Sequence, residues 1–214
     1  MAQIIKATHH DLARLAKCHR TAFPKALSTA MGQQYVEKML EWYLVDKRAF
    51  IFLLEEEGTC VGYCGGLKFD GTARVGSASS MIQHSYNLAV KTFMRKPWLF
   101  FHPEFFSKYK LAGRNVIRRV KKMMGVKEPI LNVAGLPEPH TGLIVIGVDP
   151  ALQGKGYGSQ LLQEFEHVSK ELGFKKMMLT VRTDNSQAIR SYQRNGWITA
   201  KVEGASTSME KLLN

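Results

Sequence analysis

Three glycines alternate with other residues at positions 154, 156 and 158, between an apolar run and an amphipathic one. Glycine lacks a Cβ and costs backbone entropy, so this spacing indicates that the main chain itself must approach something closely. The preceding run, "TGLIVIGVDP", predicts a strand buried on both faces, and the following residues have helical spacing. Free N–H groups of such a loop and of the first helical turn converge where the helix dipole favours negative charge. The stretch therefore predicts an anion-binding loop.

Two familiar phosphate loops do not fit this spacing. The P-loop requires a glycine five residues before the Gly154–Lys155 pair, and that position holds Asp149. The dinucleotide fingerprint G-x-G-x-x-G fails because the third glycine, Gly158, comes one residue too early. The pattern that remains is a glutamine at 153, followed by glycines at 156 and 158.

This pattern resembles the pyrophosphate loop, Q/R-x-x-G-x-G/A, of the GNAT superfamily of N-acetyltransferases, which use acetyl-coenzyme A (acetyl-CoA). A later stretch, "TVRTDNSQAIRSYQRNGW", resembles the next element of that family, N-x-x-A-x-x-x-Y-x-x-x-G-[FW]. The matching residues are Asn185, Ala188, Tyr192, Gly196 and Trp197. The resemblance is strong over residues 142–198 and rests on element order alone over 1–70.

The resemblance implies a place for each part of acetyl-CoA. The strand "LIVIGV" would diverge from "MMLTV", and main-chain groups near Ile146 and Val148 would pair with the pantetheine arm as another strand would. Gly147 would permit a β-bulge that aims an amide at the thioester carbonyl. Asn185, in one motif with Ala188, would contact the arm or cap the next helix. The pyrophosphate would lie on the amides of Gln153, Gly154, Lys155, Gly156, Tyr157, Gly158 and Ser159, with the charge of Lys155 nearby.

Acetyl transfer to an amine requires a neutral nucleophile and a proton for the departing thiolate. A phenol, with a pKa of about 10, can supply that proton when it is held close to the sulfur. Tyr192 occupies the family's position for this acid. The alternative is that Tyr192 only packs between helix and sheet.

The sequence leaves the general base open. The strand "LIVIGV" contains no carboxylate, unlike family members that have a glutamate there. His140, just before that strand, is one candidate base, and His84 is another. The acids Glu55–Glu57 border a turn and are expected to face solvent. Because Cys60 and Cys64 have no visible base, a covalent acetyl-cysteine route is the weaker alternative to direct attack in a ternary complex.

Strands and helices alternate along the chain, which predicts an α/β layered domain. The stretch "STAMGQQYVEKMLEWYL" predicts one amphipathic helix with Ser28 as a candidate N-cap. With the family resemblance, the predicted fold is a GNAT-like mixed, splayed β-sheet flanked by helices, in a single domain spanning 1–214. A large helical insertion, residues 72–140, is expected between the third and fourth strands.

This insertion carries most of the excess charge. It holds twelve Lys or Arg and three acids, which is +9 of the chain's +12, and eight aromatic residues. In "NVIRRVKKMM" the basic residues crowd the face opposite the apolar ones. The charge can be a solvated face, a wall for an anionic acceptor such as a nucleotide-linked amino sugar, or a dock on anionic membrane. Nucleic acid is less favoured, because the sequence shows no recognised RNA-binding motif.

The composition is that of an ordinary globular protein, with 45% apolar and 22% charged residues among 214. No secretory signal and no run of roughly 18 apolar residues is present. Cys18, Cys60 and Cys64 have no zinc-like or redox spacing and are expected to be reduced thiols.

The prediction is a cytoplasmic, metal-free N-acetyltransferase that moves acetyl from acetyl-CoA to a primary amine of a small molecule. The alternative is a GNAT scaffold whose insertion binds RNA or membrane while acetyl transfer is vestigial. The acceptor and the oligomeric state are left open.

Overall fold

The computed structural model describes residues 2–71, 77–105, 113, 117 and 138–213. The strands are β1 (Gln3–Lys6), β2 (Ala49–Glu56), β3 (Thr59–Phe69), β4 (His140–Val148), β5 (Lys176–Arg182), β6 (Ile198–Glu203) and β7 (Ser206–Leu212). The helices are α1 (Leu12–Ala22), α2 (Leu27–Met31), α3 (Gln33–Val45), α4 (Ser77–Arg95), α5 (Tyr157–Glu171) and α6 (Ser186–Arg194). Short 3-10 turns span His9–Asp11, Pro97–Phe101 and Pro150–Leu152.

In the described residues the strands form one mixed sheet in the order β1-β2-β3-β4-β5-β7-β6. Every neighbouring pair is antiparallel except β4 and β5, which are parallel. The parallel pair is joined only from Thr141 opposite Met177 to Leu143 opposite Leu179. Beyond Leu143 the two strands diverge, which confirms the predicted splayed sheet.

β4 contains a β-bulge at the point of divergence. Gly65 of β3 lies opposite Val145, whereas the next residue, Gly66, lies opposite Leu143. Ile144 is therefore an extra residue on β4 with no partner on β3. A bulge bends its strand and increases the local twist, so it helps to turn β4 away from β5.

The bulge was predicted at Gly147, and that position is wrong. Gly147 pairs regularly with Tyr63 of β3. A Cβ added to Gly147 would lie 2.8 Å from Cε2 of Phe23 and 3.1 Å from Cβ of Ala22. The glycine is therefore explained by the close approach of the end of α1.

The two faces of the sheet carry separate apolar cores. Helices α1 and α3 cover one face, and the buried residues there include Leu15, Val36, Leu40, Leu53 and Tyr63. Helix α5 covers the other face, where the core includes Leu161, Phe165, Met177 and Met209. β4 lies between these cores, which explains why its sequence is apolar on both faces.

The single helix predicted over "STAMGQQYVEKMLEWYL" is two helices. Gly32 separates α2 from α3 with φ +105°, a backbone conformation that favours glycine. Ser28 lies inside α2 and is not its N-cap, which is Ala26. Its hydroxyl instead shares a 2.9 Å hydrogen bond with Nε2 of His19 in α1.

The described part of the insertion is helical, as predicted. α4 and the turn at Pro97–Phe101 follow β3, and α4 packs against α3. Nε1 of Trp42 donates to Oγ of Ser80 at 3.0 Å, and Nε2 of His84 donates to a Glu41 carboxylate oxygen at 2.8 Å. The predicted helix "NVIRRVKKMM" lies almost entirely outside the described residues. The single-domain extent and the 72–140 boundary stay predictions.

The three cysteines are buried and free, as expected for reduced thiols. No helix in the described ranges is long and apolar enough to cross a membrane. The same ranges contain no group of three or more His, Cys, Asp and Glu residues that could hold a metal ion.

Candidate active site

A cleft of about 760 Å³ opens where β4 and β5 diverge. Its sides are residues 143–148 of β4 and 179–181 of β5, and it is closed by the glycine loop and by α6. Ala22 and Phe23, at the end of α1, line the remaining side. This volume lies within the roughly 300–1,000 Å³ typical of small-molecule sites.

One edge of β4 is open to the cleft. Residues 145–148 pair with β3 on one side, whereas no strand among the described residues pairs with them on the other. Because consecutive residues of a strand present their polar backbone groups to alternate edges, part of this segment's hydrogen-bonding capacity faces the cleft. Ile146, Gly147 and Val148 all line it. An extended ligand that contains amides can pair with this edge as an added strand would.

The glycine loop turns the chain from β4 into α5. Asp149 accepts a 2.9 Å hydrogen bond from the amide of Ala151, which shapes the turn at Pro150–Leu152. Gly154 and Gly156 have φ values of +86° and +85°, where a side chain would be strained. Gly156 is also the N-cap of α5. Backbone conformation alone therefore requires glycine at these two positions.

Gly158 has a different reason to be glycine. Its φ is not in the left-handed region, and it lies in the first turn of α5, where it lines the cleft. A Cβ there would meet no atom of the described residues within 4 Å. Neither its backbone nor the packing of the protein therefore requires a glycine. Its missing side chain keeps open the space beside the first N–H groups of the helix.

Side chains of the loop and of α5 are tied to α6. Oε1 of Gln153 accepts from Nε2 of Gln187 at 3.3 Å, and Oγ of Ser159 accepts from Nδ2 of Asn195 at 3.2 Å. Both Gln153 and Ser159 line the cleft. Lys155 is exposed and is not among the lining residues. Its predicted contribution to pyrophosphate binding is therefore limited to its backbone amide and to a charge that solvent screens.

Tyr157 is buried, lines the cleft and anchors the start of α5. Its hydroxyl donates to Oε1 of Glu56 at 2.7 Å, and this bond raises the pKa of the phenol. Glu55 pairs with Arg14. The expectation that Glu55–Glu57 face solvent therefore holds for Glu57, which is exposed, and is wrong for the other two, which are half-buried.

Asn185 and Ala188 lie together at the start of α6. Oδ1 of Asn185 accepts from the amide of Ala188 at 3.2 Å, which caps the helix. Both residues line the cleft. Of the two roles that the resemblance allowed Asn185, the structure shows the cap.

Tyr192 lines the cleft from α6 and packs against Trp197, with ring centroids 6.1 Å apart. Burial, with a smaller contribution from the Cys64 thiol, raises the pKa of Tyr192 to about 12. The phenol therefore keeps its proton at neutral pH and can donate it, or a hydrogen bond, to a charge that forms in the cleft.

His140 does not line the cleft, and its role as general base stays a prediction. It is the first residue of β4, seven positions before Gly147, which is about 23 Å along a strand. Its Nδ1 donates to the carbonyl of Glu138 at 2.7 Å, and its ring stacks on Phe69 at 4.7 Å. The prediction took sequence position before the strand as proximity, but the β4 residues that line the cleft begin at Leu143. His84 pairs with Glu41 on the α3 side and does not line the cleft either.

A buried polar group behind the cleft wall was not predicted. Nδ1 of His19 and the hydroxyl of Tyr63 share a 2.5 Å hydrogen bond, and Oγ of Ser28 bonds to the other ring nitrogen. His19 also packs against Phe23, with ring centroids 5.0 Å apart. The helical i,i+4 spacing of His19 and Phe23 could have indicated that pair. Tyr63 comes from β3, 44 residues away, and carried no signal in the sequence.

Comparisons with known proteins agree with this architecture. Residues 100–197 match the family model described as "Acetyltransferase (GNAT) family". A mycothiol acetyltransferase from Mycobacteroides abscessus is 38% identical over 71 residues, which are 33% of this chain and 24% of that relative. A putative acetyltransferase of the GNAT family from Desulfovibrio desulfuricans superposes with a TM-score of 0.60 at 11% identity, over all of both chains. The PaiA N-acetyltransferase from Thermoplasma acidophilum, solved in complex with coenzyme A, gives 0.55 at 14% identity over 99% of both chains.

Residues 100–197 therefore carry a match to the GNAT acetyltransferase family model, as the two motifs predicted, and the fold is that of its GNAT structural neighbours. The match to the mycothiol acetyltransferase spans only about a quarter of that relative's length, 24%. The structural neighbours, all below 25% identity, establish the fold.

The buried imidazole makes stability depend on pH. Burial lowers the pKa of His19 to about 4, against about 6.5 for an exposed histidine. The unfolded state then binds the proton more tightly, so the neutral ring stabilises the fold above pH about 6.5, and this contribution is lost as the pH falls towards 4. We expect the urea midpoint to fall over that window in the wild type and to fall less in His19→Gln.

His167→Gln is the matched control, because His167 is exposed on α5. It should keep the wild-type pH dependence. An NMR titration that gives His19 a pKa near that of an exposed imidazole would contradict the prediction.

Proposed function

We propose that this protein is an N-acetyltransferase that moves acetyl from acetyl-CoA to a primary amine. The observation that carries the proposal is one continuous cleft with three features in order. A helix-capping glycine loop lies at one end, the free edge of β4 runs along the side, and a protonated phenol, Tyr192, stands in the wall. Diphosphate, amide-containing arm and thiol are the chemical groups that these three features suit.

Residues of this chain would hold acetyl-CoA as the family resemblance implies. The amides of residues 153–159 would bind the pyrophosphate, with Gly158 leaving room for it. The free edge near Ile146 and Val148 would pair with the pantetheine arm. When bound, acetyl-CoA supplies an activated acyl group, and the walls of the cleft orient it towards the acceptor amine and limit the access of water.

We propose that the amine attacks the thioester directly, within a complex that holds both substrates. The amine nitrogen forms a bond to the thioester carbon, the C–S bond breaks, and the thiolate accepts a proton from Tyr192. A phenol with a pKa of about 12 is a weak acid, so much of its effect is a hydrogen bond that stabilises the leaving sulfur as charge develops there. The amine loses its own proton, and Tyr192 regains one from water.

No residue described as lining the cleft carries a carboxylate or an imidazole. We therefore propose that water takes the proton of the amine, which must be neutral to attack. An alkylamine has a pKa of about 10, so the rate should rise with pH through neutrality.

The acceptor is proposed to be a small molecule, with anionic amino sugars as the first class to test. The support is the chain's net charge of +12 and the concentration of that charge in the insertion, which favour an anionic partner. An amine panel scored by release of free coenzyme A, with amino sugar phosphates, polyamines and peptide amino termini, separates these classes.

Tyr192→Phe tests the acid. Removing the hydroxyl should lower kcat by about 10²- to 10⁴-fold, the range for loss of a general acid, while the Kd for acetyl-CoA changes by less than about twofold. Steady-state kinetics measures kcat, and calorimetry measures the Kd for acetyl-CoA.

Tyr157→Phe is the matched control, because this second cleft-lining tyrosine donates its hydroxyl to Glu56. It should retain kcat. Unchanged turnover in Tyr192→Phe, or an equal loss in both variants, would remove the catalytic role and leave Tyr192 as a packing residue.

We also propose that the insertion binds an anionic membrane surface. In the 3-10 turn at Pro97–Phe101, side chains three residues apart share a face. Phe100 packs against Phe93, with ring centroids 4.9 Å apart, and is 48% exposed. Trp98 and Phe101 point outward and are 62% and 78% exposed. Two large aromatic side chains therefore stand together on the surface.

Cationic and apolar side chains of α4 continue this surface. Met94 is 73% exposed, and Lys91 and Arg95 beside it are also exposed. The sequence has no Asp or Glu between Asp70 and Glu104. We name these five residues the insertion face: Lys91, Met94, Arg95, Trp98 and Phe101. The insertion face combines exposed aromatic side chains with basic ones, in a stretch of sequence without acids. Such a surface complements anionic lipid headgroups.

Flotation with vesicles of phosphatidylcholine, with and without phosphatidylserine, tests this surface. The wild type should bind only the anionic vesicles, and the double variant Trp98→Ser, Phe101→Ser should bind at least about tenfold more weakly, because two aromatic rings no longer leave water. The matched control is Ile198→Ser, Val202→Ser, which removes two similarly exposed apolar residues, at 58% and 57%, from β6.

The control should bind as the wild type does. Wild-type protein that stays out of anionic vesicles, or that binds RNA in preference to them, would overturn the membrane proposal.

A further inference from the structure

We propose that the insertion positions the cleft wall formed by the end of α1, the side on which the acceptor amine would bind, by holding both ends of α2 with charged side chains, Glu104 and Lys96. The inference rests on the proposed acetyl transfer for its kinetic consequence, but the contacts themselves are independent of it. Both side chains come from the segment between β3 and β4, and α2 is the short helix that follows the cleft-lining end of α1.

Glu104 holds the start of α2. Its Oε2 accepts a hydrogen bond from the amide of Leu27 at 3.4 Å, across 77 residues of sequence. Leu27 is the first residue of the helix, and the N-cap Ala26 has no side chain that could accept from the first amides. The first N–H groups of a helix have no partner within it, so an acceptor from elsewhere fulfils a need of this terminus.

Lys96 holds the other end of α2. Its Nζ donates to the carbonyl of Ala30 at 3.1 Å and lies 3.5 Å from that of Met31. These are the last two residues of the helix, whose carbonyls have no intrahelical donor. The insertion thus supplies a carboxylate at the amide end and an ammonium at the carbonyl end of one short helix. Two charged side chains with no structural role would not be expected to contact opposite ends of the same helix.

α2 in turn fixes the cleft wall. Oγ1 of Thr29 donates to the carbonyl of Phe23 at 2.8 Å, and Ser28 bonds to His19. Phe23 lines the cleft and lies against Gly147 of β4. A displacement of α2 would therefore move Phe23 and the end of α1, which form the side of the cleft away from the glycine loop.

Glu104 also influences charged groups on two other elements. Asp184 and, at longer range, Glu104 raise the pKa of Arg182, the last residue of β5. Glu104 likewise opposes the burial that lowers the pKa of His19. Its carboxylate is therefore within electrostatic reach of both α1 and β5. The described side-chain hydrogen bonds of the glycine loop run to Gln187 of α6 and within the loop itself, so we expect the acetyl-CoA half of the cleft to depend on those contacts.

Hydrogen exchange measured by mass spectrometry tests the contacts without requiring activity. In the double variant Glu104→Ala, Lys96→Met, amides of residues 23–31 should exchange at least about tenfold faster, while those of residues 157–171 exchange as in the wild type. Glu104→Gln, Lys96→Arg keeps an acceptor oxygen and a donor and should restore protection. Lys17→Met, at an exposed position of α1, is the control for loss of a lysine.

Kinetics with glucosamine 6-phosphate, or with the amine that the panel shows to be acetylated, test the positioning role. The double variant should raise the KM of the amine about tenfold or more, since small misplacement of a binding wall has large effects. The KM of acetyl-CoA should stay within about twofold.

The outcomes separate this inference from the proposed function. Unchanged exchange over residues 23–31, equal acceleration over residues 157–171, or a parallel rise in both KM values would each overturn the inference. If exchange responds as expected but no amine is acetylated by the wild type, the contacts are established and the proposed activity is wrong. If Glu104→Gln fails to rescue the amine KM while protection is restored, the charge of Glu104 acts on the acceptor, which overturns a purely positioning role.

Discussion

β4 stops pairing with β5 after Leu143, and the site depends on that divergence. Backbone groups buried in a sheet are normally satisfied by the neighbouring strand, so a strand that keeps one partner and loses the other must find hydrogen bonds elsewhere. The bulge at Ile144 lies directly after the last β4–β5 pair and supplies a local bend. A ligand that pairs like a strand satisfies the free edge, and the strand in turn fixes the ligand in an extended conformation.

Three glycines lie around this edge, and each is a glycine for a different reason. Gly147 admits the end of α1, Gly156 turns the loop into α5, and Gly158 leaves space beside the first turn of that helix. The first is required by contacts within the protein and the second by backbone conformation. Only Gly158 has neither requirement, which makes it the residue whose glycine is best explained by something that the cleft receives.

Local patterns predicted the parts of the fold whose cause is local. The glycine loop, the motif on α6 and the apolar run of β4 each lie within a short stretch of sequence. Together they predicted which elements would surround the cleft. The break at Gly32 is a local feature that the helical pattern concealed, whereas other wrong predictions concern contacts made at long sequence separation. The placement of His140 depends on stacking against Phe69 of β3. The bulge depends on the register between β3 and β4. The contact between Glu104 and Leu27 was not predicted at all, because it depends on how a 69-residue insertion folds back onto the domain, which no periodicity records.

Titration calorimetry of acetyl-CoA into the wild type and into Gly158→Leu tests the central claim most directly. The Cβ of a leucine at 158 would meet no atom of the described residues within 4 Å, so the variant should fold without loss of thermal stability, while its side chain occupies the space beside the helix N–H groups. The expected result is binding by the wild type and a loss of at least about 100-fold in affinity in the variant, as expected when a buried charged group loses its hydrogen-bond donors. Equal affinity in the two proteins, or no binding by the wild type, would contradict the assignment of this cleft to acetyl-CoA.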